Sequence, residues 1–250
     1  MKTYLILRFD APLMSFGTQA VDNYGRTERF PSLSALTGLV ANALGLEHRR
    51  ASEIQRLQSR LQFAVRCDRP GRELRDFQTV DMGQDFMHSD CAWTTWSYLD
   101  GRRGGSARES THIRYRDYLT DAIYTVSLGL DCEEEQPNIK DVEMALIKPA
   151  RPLFIGRKSC LPASMLLFGS MEASSPLDVL QRTPLINEKR RSQNAKDGIP
   201  VWWSPADGGE YRGPQREIRV TDQRDWSNQI HSGQRLICHG ILYLKGGGDD

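Results

Sequence analysis

The chain of 250 residues is long enough to bury a sizeable core, in one domain or in two small ones. Its 33 Lys and Arg residues against 32 Asp and Glu residues leave a net charge of +1, so no overall electrostatic field would draw it to nucleic acid or to a membrane. The five cysteines form no CxxC pair, and neither a signal peptide nor an apolar stretch of bilayer length is visible, so we expect a cytoplasmic protein with reduced thiols.

Six segments of the first 171 residues follow the hydrophobic patterns of strands and helices. Strands are predicted for residues 3–9, 60–68, 122–130 and 164–171, and helices for 29–45 and 138–149. The alternation in 60–68 is typical of a strand with one face in the core and the other, with Ala64 and Arg66, in solvent. The order β-α-β-β-α-β predicts an α+β protein with a ferredoxin-like domain over residues 1–171.

The helix predicted for residues 29–45 has a basic entrance and one face of small residues. Ser32 is the expected N-cap, because its hydroxyl can accept a hydrogen bond from a free backbone N–H, and Gly45 is the expected C-terminal cap. The apolar stripe consists of Leu33, Leu36, Val40 and Leu44, and the small face of Ser34, Thr37, Gly38, Ala41 and Gly45. A mid-helix glycine costs about 1 kcal/mol relative to alanine, so Gly38 needs a reason.

Residues 69–121 form an insertion between the second and third predicted strands. An insertion of this length in a compact domain is usually functional or disordered. Because it mixes aromatic and basic residues around a GRRGG turn, we interpret it as a projecting thumb hairpin. Beyond it, residues 172–250 carry two strand-like segments, 216–222 and 235–244, and are predicted to form a smaller, irregular, β-rich C-terminal subdomain.

The residues offer no familiar catalytic or metal site. The five histidines are dispersed, and no HExxH, Walker, GxSxG or strand-linked GxGxxG motif occurs. His112 with Tyr115 and Tyr118 could in principle serve metal-free RNA cleavage, although a lone histidine on a strand is more often structural. We therefore expect no cofactor, no metal and no catalytic residue.

What remains is a set of groups that bind phosphate. The N-terminus of the first helix would offer free N–H groups, flanked by Arg26, Arg29 and the hydroxyls of Ser32 and Ser34. The segment FIGRKSC (154–160) adds Arg157 and Lys158 after a glycine turn. Each set has a structural alternative, which for the helix is a simple cap with the small face packed on the sheet and for the turn is ordinary solvation.

These segments, in order along most of the chain, resemble the CasD-type subunit of the type I-E CRISPR Cascade complex, within the RAMP superfamily. The resemblance runs through YLILRFDAPLMSFG, RFPSLSALTGLVANALG, LQFAVRCD, LRDFQTV, YRDYLTDAIYTVSL, ALIKPARPLFIGRKSC and LYLKGG. It implies a ferredoxin-like domain with a thumb hairpin that caps the 5′ handle of the CRISPR RNA without cutting it. The small helix face and its basic entrance would then line the groove for the sugar-phosphate backbone of the handle.

The resemblance also implies partners and RNA-binding residues. The partners are the CRISPR RNA, a CasC-type backbone subunit, a large CasA-type subunit and, indirectly through the complex, target DNA, with no membrane. The RNA-binding residues would be Met14, Phe16, Gly17, Arg26, Arg29, Ser32, Ser34, Arg108, Arg114, Arg157 and Lys158. Two features depart from the family, since Phe16 stands where Trp is frequent and residues 183–215 look longer and more basic than usual. The alternative function is a metal-independent endoribonuclease that processes precursor CRISPR RNA, as in type I-C relatives.

Overall fold

Strands that pair almost entirely antiparallel, with short helices packed against them, make up the fold. The computed structural model describes residues 1–17, 22–81, 91–93, 99–101, 111–132, 134–185 and 198–243. The strands are β1 (Lys2–Asp10), β2 (Leu13–Met14), β3 (Tyr24–Gly25), β4 (Leu61–Arg69), β5 (Arg72–Asp81), β6 (Cys91–Trp93), β7 (Leu99–Gly101), β8 (Thr111–Thr120), β9 (Ile123–Leu130), β10 (Leu167–Ala173), β11 (Ile199–Trp203), β12 (Gln215–Val220), β13 (Arg224–Asp225), β14 (Ile230–His231) and β15 (Arg235–Leu242). The helices are α1 (Leu33–Ala43), α2 (Ala51–Arg60), α3 (Ile139–Ile147) and α4 (Pro176–Arg182), with 3-10 turns at His48–Arg50 and Pro205–Asp207.

The main sheet has seven strands in the order β10-β1-β9-β4-β11-β15-β12, and its neighbours pair antiparallel. Its first four members are the four strands that the sequence predicts, and α1 and α3 are the two predicted helices. In chain order these elements follow β-α-β-β-α-β, with α2 added between α1 and β4. The predicted α+β class is therefore confirmed.

Local hydrogen bonds explain where α1 and α3 begin and end. Ser32 is the N-cap of α1, as predicted, and its hydroxyl accepts a hydrogen bond from the backbone N–H of Ala35 at 3.1 Å. Gly45, just after this helix, has a φ of +76°, the left-handed conformation of a C-terminal cap. Asn138 and Asp141 form a capping box at the start of α3.

At the centre of the main sheet both faces of β4 and β9 are buried, which corrects the prediction for the second strand. Phe63 lies in the core on the α1 and α3 side, whereas Ala64 and Arg66 are fully buried on the other side, beneath α4. The Arg66 Nε lies 2.6 Å from Oδ1 of Asp68, and its Nη1 donates to the main-chain carbonyls at the C-terminal end of α4. Arg66 is stable out of solvent because an internal carboxylate and carbonyls accept its donors.

The strands of the C-terminal part extend the main sheet. β11 pairs with β4, with Trp202 opposite Val65, and β15 and β12 continue outward from it. β10 runs to Ala173, so the predicted boundary between residues 171 and 172 falls inside a strand. The strands predicted at 216–222 and 235–244 correspond to β12 and β15.

The two ends of the predicted insertion form a long antiparallel ladder. β5 pairs with β8 from Arg72 opposite Thr120 to Asp81 opposite Thr111. The other edge of β8 pairs with β2 and with the parallel strand β3, which completes a four-stranded second sheet. The rest of the GRRGG turn after Gly101, and Arg108, lie outside the described residues. The ladder therefore starts at β4 and β9 of the main sheet and is joined to the segment that leads into α1.

Candidate nucleic-acid interface

A cavity of about 400 Å³, named here the α1 cavity, lies between the small-residue face of α1 and three loops. Its lining includes Ser34, Ala35, Gly38, Ala41 and Asn42 on the helix and, from the loops, Ser15, Gly17, Gly156, Arg157, Arg224, Trp226 and His231. A Cβ added at Gly38 would lie 3.5 Å from Cη2 of Trp226, so the glycine borders space that a side chain could occupy. Thr37 is fully buried. The small face is thus partly packed, as the structural alternative has it, and partly open.

The N-terminus of α1, predicted to bind an external anion, is already closed by the chain itself. The Leu33 N–H donates to Oδ2 of Asp222 at 2.9 Å, and the Ser34 N–H donates to the Asp222 main-chain carbonyl at 3.0 Å. The Ala35 N–H is taken by Ser32. The prediction of free N–H groups is therefore wrong, because a carboxylate from a distant segment fills the anion site.

An arginine neutralises the charge of this internal anion. Arg235 Nε and Nη2 lie 2.7 Å from the two carboxylate oxygens of Asp222, a bidentate pair. The side chains of Arg235 and Asp222 are only 12% and 8% exposed. Ser32 and Ser34, whose hydroxyl oxygens lie 3.1 Å apart, are buried beside the pair. This end of α1 is therefore a structural junction between the helix and the loop after β12.

The turn after Phe154 passes directly over the loop after β2. Gly156 has a φ of +98°, and a Cβ there would lie 1.6 Å from the Ser15 carbonyl oxygen, so the position requires glycine. The Ser15 N–H donates to the Ile155 carbonyl, which ties the two segments together. The turn therefore brings Arg157 and Ser15 to the same wall of the α1 cavity.

Arg157 is held by main-chain carbonyls of two strands. Its Nη1 donates to Asp117 at 2.8 Å and its Nη2 donates to Gly25 at 2.7 Å, while its guanidinium lies 4.6 Å from the centroid of the Tyr118 ring. A Cβ at Gly25 would approach Arg157 and also Arg116, so two guanidinium groups meet at this point. Arg157 thus joins the turn to the base of the β5–β8 ladder.

The middle of the ladder, where β3 pairs with β8, carries aromatic and basic side chains. Tyr24 and Tyr115 stack with ring centroids 4.9 Å apart, and the half-exposed Phe77 lies 5.5 Å from Tyr115. Arg75 pairs with Asp117, which lowers the pKa of that carboxyl. Cross-strand neighbours with exposed rings and cations are the surface type on which single-stranded nucleic acids stack.

The other predicted cations differ in whether their side chains are exposed or are hydrogen-bonded within the protein. Arg26 is exposed just after β3, Lys158 is exposed at the turn, and Arg29 is exposed just before α1. Arg114, which is half-buried, donates to the side-chain oxygen of Asn23. The structure therefore leaves Arg26, Arg29 and Lys158 available to a ligand and engages Arg114 and Arg157 internally.

Met14 and Phe16 belong to the core, and their main chain is engaged as well, since Met14 pairs with Leu119 and both main-chain groups of Phe16 are hydrogen-bonded. Met14 is fully buried, and the Phe16 ring, 1% exposed, packs edge-on against Tyr124 with centroids 5.2 Å apart. The expected stacking surface at Phe16 is thus wrong for this structure, because the ring fills the core beside β9. Gly17, by contrast, lines the α1 cavity.

The residues considered for RNA cleavage do not converge. Tyr115 points to the opposite face of β8 from His112 and Tyr118, because successive strand residues alternate. His112 and Tyr118 are six positions apart, a separation of about 20 Å along a strand. Within the described residues, no three His, Cys, Asp or Glu side chains group as metal ligands would. The geometry gives these groups no common reacting atom.

Sequence reasoning missed the residues that close and line the α1 cavity from the far side. Trp226 and Arg224 come from the loop between β12 and β15, and Arg151 donates to the carbonyls of Gly45 and Leu46 beyond the end of α1. Asn42 donates to the Pro152 carbonyl at 2.8 Å. No periodicity marks these positions, since each acts through a contact distant in the chain.

Comparison with known proteins identifies the family. The family described as CRISPR-associated protein (Cas_Cas5) matches residues 4–238. The chain belongs to this family. It is 33% identical to "CRISPR system Cascade subunit CasD" of Escherichia coli (strain K12) over 180 residues, which are 72% of this chain and 76% of that protein. The resemblance to CasD-type proteins is confirmed.

Solved structures share the fold of this Cas5-family chain. A chain of a "CRISPR RNA-guided surveillance complex" has a TM-score of 0.69 at 24% identity, over 96% of this chain and 90% of that one. The structure described as "Crystal structure of Cas protein" has a TM-score of 0.59 at 21% identity, over 96% and 95%. Among the helices of the described part of the chain, none is long and apolar enough to cross a membrane.

Proposed function

We propose that this chain is the Cascade subunit that binds and caps the 5′ handle of the CRISPR RNA. The observation that carries the proposal is the α1 cavity, which opens between a helix face of mostly small side chains and a turn with two basic residues, Arg157 and Lys158. A sugar-phosphate backbone can approach such a face closely, and cations beside it neutralise phosphates. Membership of the Cas5 family and the likeness to a relative named a Cascade subunit support this role.

The finer architecture follows the same proposal. Strands β10, β1, β9 and β4 with α1 and α3 would be the ferredoxin-like unit, and the β5–β8 ladder would be the stem of the thumb hairpin. The aromatic residues Tyr24, Phe77 and Tyr115 at its middle suit contact with RNA or with a neighbouring protein. In the complex, a CasC-type backbone subunit and a CasA-type large subunit would be the protein partners, with target DNA reached only through them. We place the assembly in the cytoplasm.

The subunit would hold RNA without cutting it. A metal-independent ribonuclease needs an acid and a base on the two sides of one phosphate, and His112, Tyr115 and Tyr118 are spread over two faces and along β8. The described residues thus favour binding over the endoribonuclease alternative.

A salt titration tests the proposal with the three exposed cations. We expect replacement of Arg26, Arg29 and Lys158 by alanine to lower the slope of log affinity against log salt for single-stranded repeat RNA by roughly 2, because each lost phosphate contact removes about 0.7. The RNA, incubated in EDTA and recovered from the wild-type assay, should remain uncut.

A matched variant controls for the loss of net charge. Alanine at Lys140, Arg212 and Arg219, three exposed cations that do not line the cavity, removes the same charge. It should leave the slope within experimental error of wild type. Equal slopes for both triple variants, or specific cleavage of the RNA, would contradict the proposal.

A further inference from the structure

Two buried polar atoms beside the α1 cavity have no hydrogen-bond partner among the described residues. They are Nε of Arg224 and Nδ1 of His231, and both side chains line the cavity. The two residues stand directly opposite each other in the β13–β14 pair. A buried donor or acceptor without a partner has lost its hydrogen bonds to water without forming others in the protein. Such groups in a native fold indicate a missing ligand or water.

The rest of this loop is well anchored, so the two free atoms are not a sign of disorder. Gln58 on α2 accepts from the Arg224 N–H at 3.2 Å and from Nε1 of Trp226 at 3.1 Å. Nη2 of Arg224 donates to Gln229 at 2.6 Å. Main chain, guanidinium and indole are therefore all fixed, and only the two atoms at the cavity are unsatisfied.

The walls of the cavity suit a flat apolar group with a polar edge. Leu39 and Ile54 are buried side chains at its lining, and the buried Trp226 presents the edge of its ring, since Cη2 would lie 3.5 Å from a Cβ at Gly38. Arg151 and Arg157 also line the cavity, but their guanidinium groups already donate to main-chain carbonyls. Burial and the neighbouring Arg224 lower the pKa of His231, which disfavours a charged imidazole at this wall.

We propose that the α1 cavity takes one unstacked nucleobase of the bound RNA, whose edge Arg224 and His231 read. The inference rests on the proposed RNA-binding function and adds a source of base preference to it. Recognition of single-stranded RNA depends on such splayed bases, which stack on apolar or aromatic walls and pair with side chains along their edges. Arg224 offers one donor and the imidazole one further donor or acceptor, and a base edge can match both.

The test compares strands that differ only in their bases. Fluorescently labelled oligo-A, oligo-C, oligo-G and oligo-U RNA of equal length, and an abasic strand of that length, are titrated with the full chain. We expect wild type to prefer one homopolymer over the weakest by about tenfold. Arg224→Lys and His231→Leu should reduce this preference to about twofold, whereas His231→Asn, which keeps a polar atom near Nδ1, should retain more of it.

Controls separate this inference from folding and from the proposed function. Arg219→Lys, at an exposed position outside the cavity, should keep the wild-type preference. If Arg224→Lys does not fold, Ala35→Leu fills the cavity from the helix side and should abolish the preference equally.

Three results would overturn the inference. The cavity reads no base if the cavity variants keep the wild-type preference. Arg224 holds the sugar-phosphate chain instead if Arg224→Lys weakens the abasic strand as much as the homopolymers. Failure of the wild-type chain to bind any strand would overturn the proposed function together with the inference.

Discussion

The sequence predicts phosphate binding both at the N-terminus of α1 and along its small-residue face, and these two regions differ in the structure. At the N-terminus the backbone donors are occupied by Asp222 and Ser32, and Arg235 neutralises the charge. Along the face, Gly38 borders a cavity that no side chain of the described residues fills. The difference teaches that a motif able to bind a ligand does so only where the chain has not already supplied the partner.

The same contrast separates two adjacent residues of the turn at 154–160. Arg157 donates hydrogen bonds to the main-chain carbonyls of Gly25 and Asp117, whereas Lys158 is exposed. Two neighbouring basic residues that the sequence predicts alike as phosphate ligands therefore have different roles. Arg157 positions the wall of the cavity, and Lys158 remains available to a phosphate.

The largest effect should follow from opening the closed end of α1. Asp222→Ala removes the partner of the buried Arg235 and of the Leu33 N–H, so we expect the free energy of unfolding to fall by about 3–5 kcal/mol, as when one member of a buried ion pair is removed. Urea denaturation measures the loss. Glu210→Ala, at an exposed site, should change stability by less than about 0.5 kcal/mol.

Sulfate sharpens this test, because the variant would recreate the anion site that the sequence predicts. Sulfate should raise the melting temperature of Asp222→Ala more than that of wild type, since free N–H groups and Arg235 would then bind it. A small loss of stability, with the same response to sulfate in both proteins, would show that Asp222 does not close the helix.

An intermediate effect on the free energy of unfolding is expected at Arg157, and a different effect at its neighbour Lys158. Arg157→Lys cannot keep both charge-assisted hydrogen bonds in the geometry of the guanidinium, so stability should fall by about 1–3 kcal/mol. Lys158→Ala should leave stability within about 0.5 kcal/mol and lower the salt slope of RNA binding by roughly 0.7. The distinction drawn between these residues fails if Lys158→Ala destabilises as much as Arg157→Lys.

Local signals in the sequence predicted the elements well, and contacts distant in the chain decided the site. Ser32 and Gly45 lie where capping chemistry places them, because a cap depends on neighbours within a few residues. Asp222 fills the helix N-terminus from far along the chain, and nothing near Ser32 reveals it. Arg66 is a similar case. The alternating pattern of β4 predicts that Arg66 faces solvent, but α4, a helix that the sequence did not predict, covers it.

Gly38→Ala should raise stability where the preceding variants lower it or leave it unchanged, and it tests the role of the small-residue face directly. Helix propensity favours alanine by about 1 kcal/mol, and the added Cβ would stand 3.5 Å from Trp226, an ordinary contact, so the variant should be more stable than wild type. The methyl group nevertheless narrows the α1 cavity. If RNA enters there, binding should weaken by about tenfold while stability rises, an effect comparable to one methylene in a fitted pocket.

Gly169→Ala is the matched control for this last variant, because a Cβ at Gly169 meets nothing within 4 Å and the residue does not line the cavity. It removes the same freedom from the unfolded chain and should leave RNA binding unchanged. Urea denaturation and fluorescence titration with single-stranded repeat RNA give the two readouts. If Gly38→Ala binds RNA like wild type, the open face of α1 is not the interface. Higher stability together with weaker RNA binding, found for Gly38→Ala and not for Gly169→Ala, would mean that Gly38 favours RNA binding and lowers the stability of the helix.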